Sequence, residues 1–227
     1  MRFLGTTFLG FVVGCSLVVL GLYFNPFTAD SGEIIGVNAR VLNYDSPFSG
    51  GIAVTHSGRS RLPLQPASIP ELWESTINDS MLSVIVLSDD DGLSVGVASR
   101  VSQFSESTEM LTRGIIVDDD WLVTISGEGS FYVNADSNLW PFLKETLVPV
   151  WYLDRPWSGP RNYRPTVGPS AEGSAVVAGA TGVFADRGGS AVESYQIADF
   201  NKASGPGDFD ARFFLSWSDS TTSLASE

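Results

Sequence analysis

Ala211-Arg212-Phe213-Phe214-Leu215-Ser216-Trp217 is the stretch whose reading decides the fold. Alternate side chains of an extended chain point to opposite faces, so Phe213, Leu215 and Trp217 share one side. Short apolar runs of the same kind recur upstream, over residues 34–42, 51–55, 82–87, 93–101, 111–117, 121–126, 131–134, 174–178 and 190–197. Gly, Asp, Ser and Pro separate them, which predicts sequential β-strands and an all-β domain. Asp89-Asp90-Asp91-Gly92 and Asp118-Asp119-Asp120 fall between such runs and read as turns. Neither triplet has the alternating ligands and distant Glu of a calcium loop, so no metal site is expected. Helix is expected only over 70–77, with Ser68 as cap and Pro70 in the first turn, and over 138–147, with Pro141 near its start and Pro149 beyond its end.

The other end of the chain is different. Residues 3–24, FLGTTFLGFVVGCSLVVLGLYF, carry no charge. As a helix they would span roughly 33 Å, enough for a hydrocarbon core of about 30 Å. Tyr23, Phe24 and Phe27 cluster at the exit, and Asn25-Pro26 supplies a helix stop. Arg2 precedes the span, whereas Asp30 and Glu33 follow it, which puts the N-terminus in the cytoplasm and the main domain in the periplasm or otherwise outside. A cleaved signal is the rival reading, and Phe27-Thr28-Ala29 lacks its small residue pair. Val12-Val13-Gly14-Cys15 resembles a lipidation box, but Ser16-Leu17-Val18-Val19-Leu20 would then replace the usual polar tether. Gly10 and Gly14, with Gly21 one heptad further on, either offer a face for other transmembrane subunits or reflect the abundance of glycine in membrane helices.

The expected organisation is therefore an anchor over 1–24, a linker over 25–33, the β domain over 34–217 and a polar tail over 218–227. Lys and Arg number 13 against 26 Asp and Glu, and the net charge of −13 argues against nucleic acid as a partner. Cys15 is the single cysteine, so no disulfide braces the domain and its stability must come from its core.

The segment Ala175-Val176-Val177-Ala178-Gly179-Ala180-Thr181-Gly182-Val183-Phe184-Ala185-Asp186-Arg187-Gly188-Gly189 resembles a hairpin of the barrel proteins related to allene oxide cyclases and dirigent proteins. Thr181-Gly182-Val183-Phe184 and Gly189 fit the family spacing, and Ala180 stands where the family has glycine. The strand around 211–217 is similar to the family's closing strand. The resemblance implies an antiparallel barrel of about eight strands with Phe184 plugging one end. None of the family's functional residues is carried over.

No nucleophile elbow, zinc-protease, CxxC or nucleotide-binding motif occurs, so the sequence nominates no catalytic residue, metal or cofactor. His56, the sole histidine, reads as structural or solvated, or as a general base. Asn78-Asp79-Ser80 matches a glycosylation sequon. The most suggestive surface gathers Trp151, Tyr152, Arg155, Trp157, Arg161, Tyr163 and Arg164 within one proline-rich stretch. Rings beside guanidinium groups suit a ligand or a protein partner; alternatively this is a braced loop whose arginines pair with carboxylates. Three functions follow as expectations: an accessory subunit of a membrane complex, a binder of a small apolar or aromatic ligand in the barrel, or a cyclase or isomerase on that barrel.

Overall fold

The structure is a computed structural model that describes residues 2–24, 40–45, 51–56, 69–74, 77, 79–168 and 175–218. The expected linker, the first part of the 34–42 strand, Asn78 of the sequon and the tail past Ser218 lie outside the described residues. α1 (Arg2–Tyr23) is followed by β1 (Arg40–Asp45), β2 (Ile52–His56), β3 (Glu71–Trp73), β4 (Ser80–Ser88), β5 (Ser94–Phe104), β6 (Ile116–Ile125) and β7 (Gly129–Asn138). A helical segment comes next: α2 (Trp140–Phe142), a π turn (Leu143–Leu147) and α3 (Val148–Leu153). Then follow β8 (Trp157–Tyr163), β9 (Thr166–Val167), β10 (Val176–Ala180), β11 (Gly188–Asn201), β12 (Gly205–Pro206) and β13 (Phe209–Ser218).

Eight of these strands close into an antiparallel barrel in the order β1-β13-β11-β10-β7-β6-β5-β4, and Asn43 opposite Ser88 joins the last to the first. β2 extends the wall from β4 and β3 runs parallel to β2, while β8 and β12 add to β11 and β9 to β7. The alternation that opened the reading holds: Phe213 and Leu215 are buried, and Trp217 packs on the same core cluster. α1 contains the 19-residue span Gly5–Tyr23 of mean hydropathy 2.0, long and apolar enough to cross a membrane.

The glycine hairpin closes one end of the barrel. Gly182 has φ +65°, and a Cβ there would lie 2.0 Å from the Glu128 carbonyl oxygen. Only glycine lets this turn meet the β6–β7 turn so closely. Phe184 is buried behind it, stacked on Trp217 at 5.0 Å between centroids and edge-on to Phe131 at 5.4 Å. The Asp89–Gly92 turn also forms as expected: Asp89 N–H donates to the Leu93 carbonyl, and Gly92 takes φ +77°.

Three expectations are corrected. Asp118-Asp119-Asp120 is no turn; it lies inside β6, which replaces the two separate strands expected over 111–117 and 121–126. The inward phase of Trp121, Val123 and Ile125 simply continues back to Asp119, whose charge is met inside the barrel. Where a helix is expected over 70–77, residues 71–73 form the short strand β3, held by Val54 N–H to the Pro70 carbonyl and Glu74 N–H to the His56 carbonyl, while residues 75 and 76 lie outside the described residues. An exposed β2 edge offers those partners, while so short a helix has too few internal bonds to compete. Finally, the helix expected to end before Pro149 continues to Leu153, because Pro149 falls in the first turn of α3, where a missing N–H is tolerated.

Candidate functional site

The barrel is packed at the Phe184 end and open toward the other. Along β4, Ser80, Ser83 and Ile85 line a cavity of about 320 Å³ before Leu87 enters the packed core. Ile52, Val54, Phe104 and Val117 supply apolar wall; Leu139, Phe142, Leu143 and Leu147 bring the helical segment over it; Ile197, Phe200 and Phe209 complete the far side. His56, Glu71 and Asp79 sit among the lining residues contributed by β2, β3 and the turn before β4. His56 Nε2 lies 4.0 Å from Glu71 Oε2, and its ring stacks over Trp73 at 6.4 Å.

Arg100, Glu193, Tyr44 and Ser102 line the cavity as well, and with Asp119 they make one polar cluster, buried except for the partly exposed Arg100. Antiparallel register explains the assembly. Arg100 pairs with Trp121 and Ser102 with Asp119 across β5 and β6, and the alternation places all four side chains inward. Arg100 grips Asp119 in a fork, Nε to Oδ1 at 2.8 Å and Nη2 to Oδ2 at 2.5 Å. Ser102 donates to Oδ1 at 2.5 Å, and Ser137 donates to Oδ2. The guanidinium carbon stands 4.9 Å from the Trp121 ring centroid. Burial by itself would lower the Arg100 pKa, but the neighbouring Asp119 and Glu193 carboxyls drive it above its ordinary value. It is a fixed cation.

Glu193 is different. Its Oε1 accepts from Tyr44 OH and, at 3.2 Å, from Arg100 Nη1, while its backbone N–H donates to Thr166 Oγ1 at 2.9 Å. Its Oε2 is buried and has no hydrogen-bond partner among the described residues. Burial pushes the carboxyl's pKa up, against the opposing pull of Arg100; Asp119 adds to the rise. Burial likewise pushes the Tyr44 and Tyr195 phenols up, so both stay neutral. One cation, Arg100, therefore stands between two carboxyls: Asp119, which it holds in a fork, and Glu193, which it reaches through a single nitrogen.

This arrangement has a measurable consequence. The folded protein holds the Glu193 proton to higher pH than the unfolded chain, where the ordinary value is 4.5. With more protons bound in the native state, stability falls as pH rises from that value through the folded pKa. Arg100, Asp119, Tyr44 and Tyr195 face Glu193, and His56, Glu71 and Asp79 are the other titratable groups of the cavity. Glu193→Gln is expected to flatten this limb of the stability–pH profile, measured by urea unfolding at stepped pH.

The arginine- and tryptophan-rich stretch does not form a single surface. It is divided between the end of α3, a left-handed turn at Asp154 (φ +47°) and β8, instead of the loop envisaged as one alternative. Tyr152 is 84% exposed on α3; Trp151 beside it carries Lys202 Nζ at 5.6 Å from its ring. Trp157 packs against the cluster of Leu147, Val150 and Phe200. Arg161 bonds Glu145 at 2.5 Å, as the braced alternative expects, while Arg155 and Arg164 are exposed. Tyr163 turns inward, buried among Phe142 and Tyr195 with its hydroxyl 2.7 Å from Thr146 Oγ1. On α1, Gly10, Gly14 and Gly21 have open space beside them within this single chain. Among the described residues no three His, Cys, Asp or Glu side chains gather as a metal site would need.

Sequence reading missed Arg100, Asp119, Glu193 and Tyr44. The signal was faint but present: each occupies an inward phase of its strand, Tyr44 after Leu42, Asp119 between Val117 and Trp121, Glu193 after Ala191, and Arg100 between Ala98 and Ser102.

No protein-family model matches the chain, and no curated protein sequence matches it. Among solved structures it is similar to one described as "A nonspecific heme-binding cyclase catalyzes [4 + 2] cycloaddition during neoabyssomicin biosynthesis". The identity is 8%, the likeness covers 81% of this chain and 68% of that one, and the TM-score is 0.38.

Proposed function

We propose that the chain is a membrane-tethered β-barrel that takes a small, mostly apolar molecule into its open end. The observation that carries this reading is the cavity of about 320 Å³, whose walls are largely apolar and whose polar groups concentrate around Arg100 and Glu193. Ligand pockets share that pattern of apolar lining with a few convergent polar groups. In this reading residues 3–24 contact membrane lipid with the N-terminus in the cytoplasm. Residues 34–217 stand outside, joined by a linker over 25–33 and followed by a tail over 218–227. The charge-free span between Arg2 and the acidic residues beyond it supports that orientation.

A neutral apolar dye, N-phenyl-1-naphthylamine, tests the reading on the detergent-extracted full chain. Its fluorescence should rise and saturate at one dye per barrel. Ser83→Phe, which projects a ring into the cavity from the buried side of β4, should weaken uptake at least tenfold while unfolding stays cooperative. Equal uptake by both proteins would place the dye elsewhere and remove the reading.

One observation favours an accessory-subunit role instead. Val84, Val86, Val97 and Leu122 are exposed together on the outer wall, with Val86 opposite Val97 across β4 and β5. An apolar patch of this kind suits a neighbouring protein. A cyclase or isomerase reading draws support from Glu193, a carboxyl of raised pKa on the cavity wall.

A further inference from the structure

Glu193 Oε1 accepts two hydrogen bonds, from Tyr44 OH and Arg100 Nη1, so the two oxygens of this carboxyl sit in different surroundings. The other oxygen, Oε2, is buried without a partner among the described residues, on a cavity-lining residue 2% exposed. A protonated carboxyl has one O–H donor to place. Arg100 is forked to Asp119 and reaches Glu193 by a single nitrogen, so with both carboxyls ionised this cluster would carry net negative charge. Left unmet, a buried donor is costly, and cavities with such groups are completed by whatever binds there.

We propose that Glu193 Oε2 carries a proton and donates it in a hydrogen bond to an uncharged oxygen acceptor, a carbonyl above all, on an otherwise apolar ligand. This rests on the ligand-binding reading above and names the chemistry that reading leaves open. Ile85, Tyr195 and Phe209 line the same cavity as Glu193, so the body of the ligand meets apolar and ring surface while its oxygen meets Glu193. Cationic ligands are disfavoured, because Arg100 lies beside the same oxygen pair.

The test uses the full chain in detergent and competition against the naphthylamine dye by three matched probes: 2-acetylnaphthalene, 2-isopropylnaphthalene and 1-(2-naphthyl)ethylamine. The ketone should displace the dye at about one-tenth of the concentration the hydrocarbon needs, the effect of one well-placed hydrogen bond. Glu193→Gln keeps an N–H donor where the acid had O–H, so most of the preference should survive. Glu193→Leu should bring ketone and hydrocarbon to parity. Infrared difference spectra of wild type minus Glu193→Gln at neutral pH should show the carbonyl band of a protonated acid and no carboxylate band. Equal displacement by ketone and hydrocarbon in the wild type overturns the inference while leaving the cavity as a binding site. Tighter binding of the amine, or a carboxylate band, overturns it by showing an ionised Glu193. If no dye or probe binds at all, the ligand reading falls and this inference falls with it.

Discussion

Arg100→Met is expected to lower the stability of the barrel by about 3–5 kcal/mol, the usual loss when one member of a buried ion pair is removed. The physical reason is what stays behind. Asp119 is 0% exposed and would keep only the Ser102 and Ser137 hydroxyls, with no countercharge. Glu193 Oε1 would lose one of its two donors, and Trp121 would lose the guanidinium above its ring. Methionine fills similar volume, so the effect reports charge and hydrogen bonding more than packing. Arg100→Met combined with Asp119→Asn should recover most of the loss, because the stranded anion is then gone. Urea unfolding of wild type, both single variants and the double variant closes the cycle. A loss under about 1 kcal/mol for Arg100→Met would mean water reaches the cluster freely, in the range of exposed pairs.

Phe184→Ala is the second large effect, expected to cost about 3–5 kcal/mol as a buried ring is lost and a cavity left behind. Phe184 touches the stacked Trp217 and the edge of Phe131, and these three rings close the barrel end that the glycine hairpin shapes. Phe184→Leu should cost much less, under about 1.5 kcal/mol, because volume is largely kept. Neither change touches the lining of the open end, so dye uptake per folded barrel should be unchanged. Thermal unfolding alongside dye titration separates the two effects. A loss of dye uptake without loss of stability would mean the two ends of the barrel are not independent.

What the sequence made legible was local. The alternation at Phe213, Leu215 and Trp217 needs only a two-residue period, and the hairpin at Gly182–Phe184 needs only a left-handed residue followed by a large ring. Asp119 was hidden because three consecutive carboxylates resemble a turn until a cation is known to face the middle one. That cation, Arg100, reaches it only through the β5–β6 register. Tyr44 and Glu193 meet across 149 residues of sequence, a pairing that barrel closure creates and no local pattern encodes. The opposite happened to Trp151, Tyr152, Arg155, Trp157, Arg161, Tyr163 and Arg164. They are adjacent in sequence, yet a helix end and a strand send Tyr163 inward, Arg161 to Glu145 and Tyr152 to the surface.

The most direct test of the central claim is gentle detergent extraction of the native membrane, followed by mass spectrometry of the intact chain and of whatever separates from it on unfolding. The account predicts a barrel carrying one small, largely apolar molecule with an oxygen acceptor, absent from Ser83→Phe. A chain that carries no small molecule and instead runs as a stoichiometric assembly with other membrane proteins would contradict it, and would make the outer wall at Val84, Val86, Val97 and Leu122 the working surface.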